Sequence, residues 1–119
     1  MKSSHPFSRS LHHALRGIRL AFLSERSFRL QTIAAIFVII AMLAFPLRLQ
    51  ERILLLLLIG SILVLELINS VFERLVDAFK PRIHPLVKDM KDLMAAAVLV
   101  ASCIAAIVGT LIFFPHIVG

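Results

Sequence analysis

Three apolar runs divide the chain, and short charged stretches separate them. The first extends from Leu30 to Leu47 and is interrupted only by Gln31, Thr32 and Pro46, which predicts a spanning helix over about 30–47. After the turn containing Pro46, Arg48, Gln50, Glu51 and Arg52, a second span is expected over about 53–68. Its apolar part is short, so the helix is expected to continue past Glu66 to about residue 80, where Pro81 stops it. A third span is predicted over about 93–114, in a helix that starts near Pro85, with Ser102 and Thr110 the only polar residues between Met94 and Phe114. Pro115 and a short tail then finish the chain. Before these runs, Leu11, Leu15, Ile18 and Phe22 recur at helical spacing, with His12, His13, Arg16 and Arg19 mostly on other faces, which predicts an amphipathic surface helix over about 7–27. The resulting fold class is an all-α membrane protein with three transmembrane helices and an N-terminal surface helix.

The polar positions after Leu65 are ordered too. Glu66, Asn69, Ser70, Glu73 and Asp77 fall at offsets 0, 3, 4, 7 and 11. On a helix they occupy an arc about 100° wide along about 16 Å of axis. A carboxylate at the edge of a hydrocarbon layer costs a few kcal/mol unless something pairs with it, so an aligned stripe starting at such an edge points to a site.

Composition narrows the class. With 119 residues, 60% hydrophobic residues and a mean hydropathy of +0.96, the chain reads as one integral membrane unit, residues 1–119. The formal charge of +6 would suggest nucleic acid in a soluble protein, but the basic residues flank the apolar runs, and no nucleic-acid partner is expected. Cys103, the lone cysteine, lies in an apolar stretch and reads as a packed thiol. The N-terminal stretch is not expected to be a cleaved secretory signal.

Lys2, Arg9, Arg16, Arg19, Arg26 and Arg29 precede the first span, and Arg74, Lys80, Arg82, Lys88 and Lys91 lie between the second and third. Only Arg48 and Arg52 occupy the turn between the first two. The N-terminus and the loop over 69–92 are therefore expected in the cytoplasm, with the C-terminus outside.

Acids and lysines on that face, with no Cys/His cluster, suit a hard cation held by oxygen and bridged to a phosphate. Phosphoryl transfer fits this chemistry. The phosphate-loop pattern G-x-x-x-x-G-K-[ST] is absent, and Gly17, Gly60, Gly109 and Gly119 are too scattered to make one, so spacing alone names no nucleotide.

The motifs go further. E-L-I-N-S-V-F-E-R-L-V-D from Glu66 to Asp77, followed by K-D-L-M-A-A-A-V-L-V from Lys91 to Val100, resembles the signature of the prokaryotic diacylglycerol kinase family, which includes undecaprenol kinases. G-I-R-L-A-F-L-S-E-R-S-F-R from Gly17 to Arg29 is similar to that family's surface-helix segment with its E-x-x-F-R. The likeness covers nearly the whole chain. It implies a small homotrimeric kinase of the bacterial inner membrane, with a site shared between adjacent subunits, that moves the γ-phosphate of ATP to a lipid hydroxyl with Mg2+.

Carried onto matching positions, the resemblance makes Glu66 the base that takes the proton of the lipid hydroxyl and Asn69 a partner orienting phosphate or metal. Glu25 and Glu73 would be metal ligands, and Lys91 would bind phosphate. Asp77, Asp92 and His84 would lie around the nucleotide, with Arg9 and Arg19 as further candidates. Two K-D pairs compete for the family position; Lys91-Asp92 keeps the spacing to A-A-A-V, which leaves Lys88-Asp89 as solvated charges. Met94 stands where the family usually has a small residue.

H-P-L-V-K at His84 to Lys88 and the leucines before Glu66 lean toward undecaprenol as substrate, with diacylglycerol as the alternative. Two other classes compete. One is a proton-coupled oligomeric transporter using Glu66, which leaves Asn69, Glu73 and Asp77 unassigned. The other is a non-catalytic assembly subunit whose charges serve only topology.

Overall fold

The computed structural model of the chain describes residues 6–79 and 85–119. Four helices account for almost all of them, and no described residue is in a strand. They are α1 (Pro6–Ser24), α2 (Arg26–Ala44), α3 (Leu49–Ala78) and α4 (Pro85–Val118).

Each boundary has a local cause. α1 and α2 are separated only by Glu25, whose extended backbone (φ −112°, ψ 111°) turns the corner. Arg29 makes so tight a corner tolerable, because its guanidinium donates to the carbonyls of Phe22 and Leu23 at 3.0 and 3.1 Å. These last-turn carbonyls of α1 would otherwise lack partners. α2 ends before Pro46, since the residue preceding a proline is driven out of the helical region and Phe45 is extended (φ −96°, ψ 150°). At the start of α3 the Arg48 N–H donates to Glu51 Oε1 at 2.9 Å, satisfying a donor at the helix entrance. α4 begins at Pro85, a position where a missing N–H costs nothing. It then runs on through Pro115, where a stop was expected, and the Gly119 N–H closes the final turn on the Pro115 carbonyl at 3.0 Å. A proline this near a helix end frees only one carbonyl, and α4 absorbs it.

Three of the helices, α2, α3 and α4, are long and apolar enough to cross a membrane, with mean hydropathies of 1.9, 2.4 and 2.6 over their most apolar windows. Together with their composition this makes the chain a membrane protein. α4 packs mainly on α3, α2 also lies on α3, and α1 meets the other two at the corner. Met42, Leu47, Leu55 and Ile112 form the buried cluster at one end of the bundle, joined by Phe45 and Phe113, whose rings meet edge to face at 5.5 Å. Within the apolar layer Gln31 Nε2 donates to Ser102 Oγ at 2.9 Å and ties α2 to α4.

The bundle is thin, with extents of 55 × 45 × 21 Å, and little of its apolar surface is covered. Only 6% of the α4 window is buried inside the chain, so lipid or other protein must cover the rest.

Candidate active site

α3 has 30 residues, about 45 Å of helix at 1.5 Å per residue, whereas a hydrocarbon layer is about 30 Å thick. Its last turns therefore project beyond the layer and carry the polar stripe. Glu66 lies about 26 Å along the axis from Leu49, near the edge of such a layer.

At that level the α1–α2 corner packs against α3, and two hydrogen bonds of opposite sense join them. Ser27, in the first turn of α2, donates to Glu66 Oε2 at 2.7 Å. Ser70, one turn beyond Glu66 on α3, donates to Glu25 Oε2 at 3.1 Å. Both α3 partners are enclosed, Glu66 at 3% and Ser70 at 7% exposure. Arg74 extends the link, donating to Ser24 Oγ at 2.8 Å and standing 3.9 Å from Glu25 Oε2. Glu25 is thus held from α3 and makes no side-chain hydrogen bond to the start of its own helix.

The next turn of α3 brings Glu73 beside Glu25, with the two carboxyl groups within hydrogen-bonding reach. Asp77 adds negative charge near Glu73, and Lys91 at the base of α4 adds the opposing positive charge. Like charges this close repel unless a proton or a cation is shared between them. Asn69 Oδ1 is buried and accepts no hydrogen bond from the described residues. A buried acceptor without a donor costs about 1–3 kcal/mol, so the atom is poised for a ligand.

Among the described residues no group of three or more His, Cys, Asp or Glu side chains forms a metal cage. Mg2+ does not need one, because it keeps several waters and binds through one or two carboxylates plus substrate phosphates. The paired carboxyl groups of Glu25 and Glu73, and the Asn69 oxygen on the same helix as Glu73, are hard oxygen donors of the kind it takes.

The remaining candidates divide. Asp92 lies on an exposed face of α4, 3.7 Å from Lys88, so the two neighbouring K-D pairs are interlinked. Arg19 lines a depression between α1, α2 and α3 with Leu15, Phe22, Phe28 and Leu67, beside the acids rather than among them. Arg9 is exposed on α1, sixteen positions before Glu25 and so about 24 Å away along a helix axis. His84 lies outside the described residues. Met94 is half-buried near the base of α4.

A match to the family described as prokaryotic diacylglycerol kinase covers residues 12–113. This chain belongs to that family. The match takes in every candidate residue except Arg9. The chain is 40% identical to the undecaprenol kinase of Bacillus subtilis, over 93% of this chain and 90% of that one. It is 27% identical to the diacylglycerol kinase of Escherichia coli strain K12, over 87% and 85% of the two chains. The corresponding figure for the diacylglycerol kinase of Haemophilus influenzae is 37%, over 88% and 90%.

For a member of the prokaryotic diacylglycerol kinase family, three features of the site were invisible in the motifs. Ser27 and Ser24 carry no signal in a sequence, since serines near helix starts usually cap their own backbone. Arg29 belongs to the E-x-x-F-R motif, but its work as the cap of the preceding helix depends on how the corner folds.

Proposed function

We propose that the chain is a lipid kinase that transfers the γ-phosphate of ATP to the hydroxyl of a membrane lipid alcohol, undecaprenol first and diacylglycerol as the alternative. The observation that carries this reading is the convergence within one chain of Glu66, Glu25, Glu73 and Lys91 where α3 leaves its apolar span. Relatives that span nearly all of the chain are named undecaprenol kinase and diacylglycerol kinase. The transporter and assembly-subunit readings leave this convergence without a task.

Glu66 takes the proton of the lipid hydroxyl as its oxygen bonds to the γ-phosphorus and ADP leaves. Lys91 pairs with phosphate charge, and Asn69 accepts from, or coordinates, a group at its free oxygen. Glu25 and Glu73 would hold Mg2+, which when bound neutralises phosphate charge and aligns the transfer. Asp77 and Asp92 border the nucleotide.

The lipid chain has a place to lie. A groove of about 550 Å³ between α2, α3 and α4 begins at Gln31, one helical turn from Ser27, and runs past Ala35, Ile59 and Gly109 to Phe113. A hydroxyl at Glu66 would let a single apolar chain descend along it.

The site and the N-terminus face the cytoplasm from a bacterial inner membrane, on the side that holds ATP; the excess of Lys and Arg beside the spans supports that orientation. α1 is the amphipathic surface helix at that interface: Leu15, Ile18 and Phe22 turn toward α2 and α3. The bare flank of α4 is covered in a homotrimer, where small residues such as Ala101 and Ala105 permit close helix contact. There Arg9 and Arg19 would meet a nucleotide across a subunit boundary.

Purified protein in detergent, given radiolabelled ATP, Mg2+ and a panel of undecaprenol, diacylglycerol and a short-chain alcohol, tests the reading. Phosphorylated undecaprenol from the wild type, abolished by Glu66→Gln, is expected. No lipid product from any alcohol, or equal product from Glu66→Gln, would reject it.

A further inference from the structure

Ser27 belongs to no motif that assigns a role, yet among the described residues its hydroxyl makes the one hydrogen bond that the buried Glu66 carboxylate accepts. Only Oε2 is engaged. Oε1 accepts nothing from the described residues and is not among the fully enclosed polar atoms, so it faces accessible space. A glutamate has three side-chain torsions, and one anchored oxygen removes most of that freedom. The anchor is itself held by its neighbours. Ser27 follows the single-residue corner at Glu25, beside the buried Phe28, and Arg29 pins the same turn to the last carbonyls of α1.

We propose that Ser27 is a positioning residue for phosphoryl transfer: by holding Oε2 of Glu66 from α2, it leaves Oε1 aimed at the place where the lipid hydroxyl binds. Ser27 thereby couples the α1–α2 corner to the rate of transfer. Displacement of the corner moves Ser27 and swings the base away, although no residue of α1 touches the acceptor. The inference rests on the reading of Glu66 as the base. It adds a residue whose loss lowers the rate of proton removal and leaves nucleotide binding alone, because Ser27 bonds to Glu66, whereas Glu25 is held separately by Ser70 and Arg74 and the other metal and phosphate groups lie one to two turns farther along α3 and on α4.

The test is steady-state kinetics of the full-length protein with undecaprenol and ATP for wild type, Ser27→Ala, Ser27→Thr, Glu66→Gln and the double variant Ser27→Ala/Glu66→Gln. A hydrogen bond to a charged group corresponds to a factor of about 10 to 100 in rate, so Ser27→Ala is expected to lower kcat by about that much while KM for ATP stays within about two-fold. Ser27→Thr keeps the hydroxyl and is expected to restore kcat to within about three-fold of wild type. Two groups acting as a unit are not additive, so the double variant is expected to match Glu66→Gln alone.

Wild-type kcat in Ser27→Ala, with Glu66→Gln inactive, would overturn the positioning role and leave the kinase reading intact. So would a double variant about ten-fold slower than Glu66→Gln, or a Ser27→Thr as slow as Ser27→Ala. Wild-type kcat in Glu66→Gln would instead overturn the base assignment and the positioning role with it.

Discussion

Ser70 Oγ donates to Glu25 Oε2 at 3.1 Å and so fastens the corner between α1 and α2 to the polar face of α3. Both ends of this bond belong to the stripe and corner that surround Glu73, so it fixes one carboxylate opposite another. Removing the hydroxyl takes away this tether and leaves the longer contact with Arg74, at 3.9 Å. Ser70→Ala is expected to raise the Mg2+ concentration for half-maximal activity by about 10- to 100-fold, the worth of one hydrogen bond to a charged group. A Mg2+ titration of the kinase assay measures it, and an unchanged midpoint would count against a metal role for Glu25.

Lys91 and Lys88 should behave oppositely. Lys91 is half-buried and faces Glu73, whereas Lys88 is exposed and, among the described residues, paired with the exposed Asp92. Lys91→Met is expected to lower kcat/KM for ATP by about 100-fold or more, as for loss of a group that stabilises transferring phosphate. Lys88→Ala is expected to stay within about two-fold of wild type, because exposed i,i+4 pairs contribute only about 0.3–0.5 kcal/mol. A reversed ranking in ATP titrations would move the phosphate site to the other K-D pair.

The groove gives a test of substrate shape. Gly109 lines it, and a Cβ added there meets no atom within 4 Å, so a larger side chain would enter the groove without forcing the helices apart. Gly109→Leu is expected to raise KM for undecaprenol about five-fold or more while a short-chain alcohol is phosphorylated at the wild-type rate. Equal effects on both alcohols would show that the lipid chain lies elsewhere.

Much of this arrangement was legible in the sequence. The three apolar runs are the three helices able to cross a membrane, because a long apolar run in a bilayer has few alternatives to helix. The spacing of Glu66, Ser70 and Glu73 carried the information that one helix face holds them, since helical periodicity is local. What periodicity does not carry is which face of one helix meets another. The bonds from Ser27 to Glu66, from Ser70 to Glu25 and from Gln31 to Ser102 depend on how the corner at Glu25 aims α1 and α2 across α3. The continuation of α4 through Pro115 was missed for a local reason: proline reads as a stop, yet in a final turn it frees a single carbonyl.

That corner is also open to experiment. Arg29 serves two carbonyls at the end of α1, so Arg29→Ala releases both. The expected loss is about 1–3 kcal/mol of α1 docking, read as faster proteolysis within α1 while the spanning helices stay protected. Activity should fall along with it, since Glu25 and Ser27 flank the corner.

In the proposed kinase Glu25 and Glu73, brought face to face by the α1–α2 corner, share one divalent cation with the phosphates of ATP. Electron paramagnetic resonance of Mn2+ added to the detergent-purified protein reads this out. With ATP present, the wild type is expected to take up bound Mn2+ more tightly than ATP alone does, and Glu25→Gln and Glu73→Gln are each expected to weaken this uptake by about ten-fold or more. Uptake at wild-type strength in both variants would contradict it.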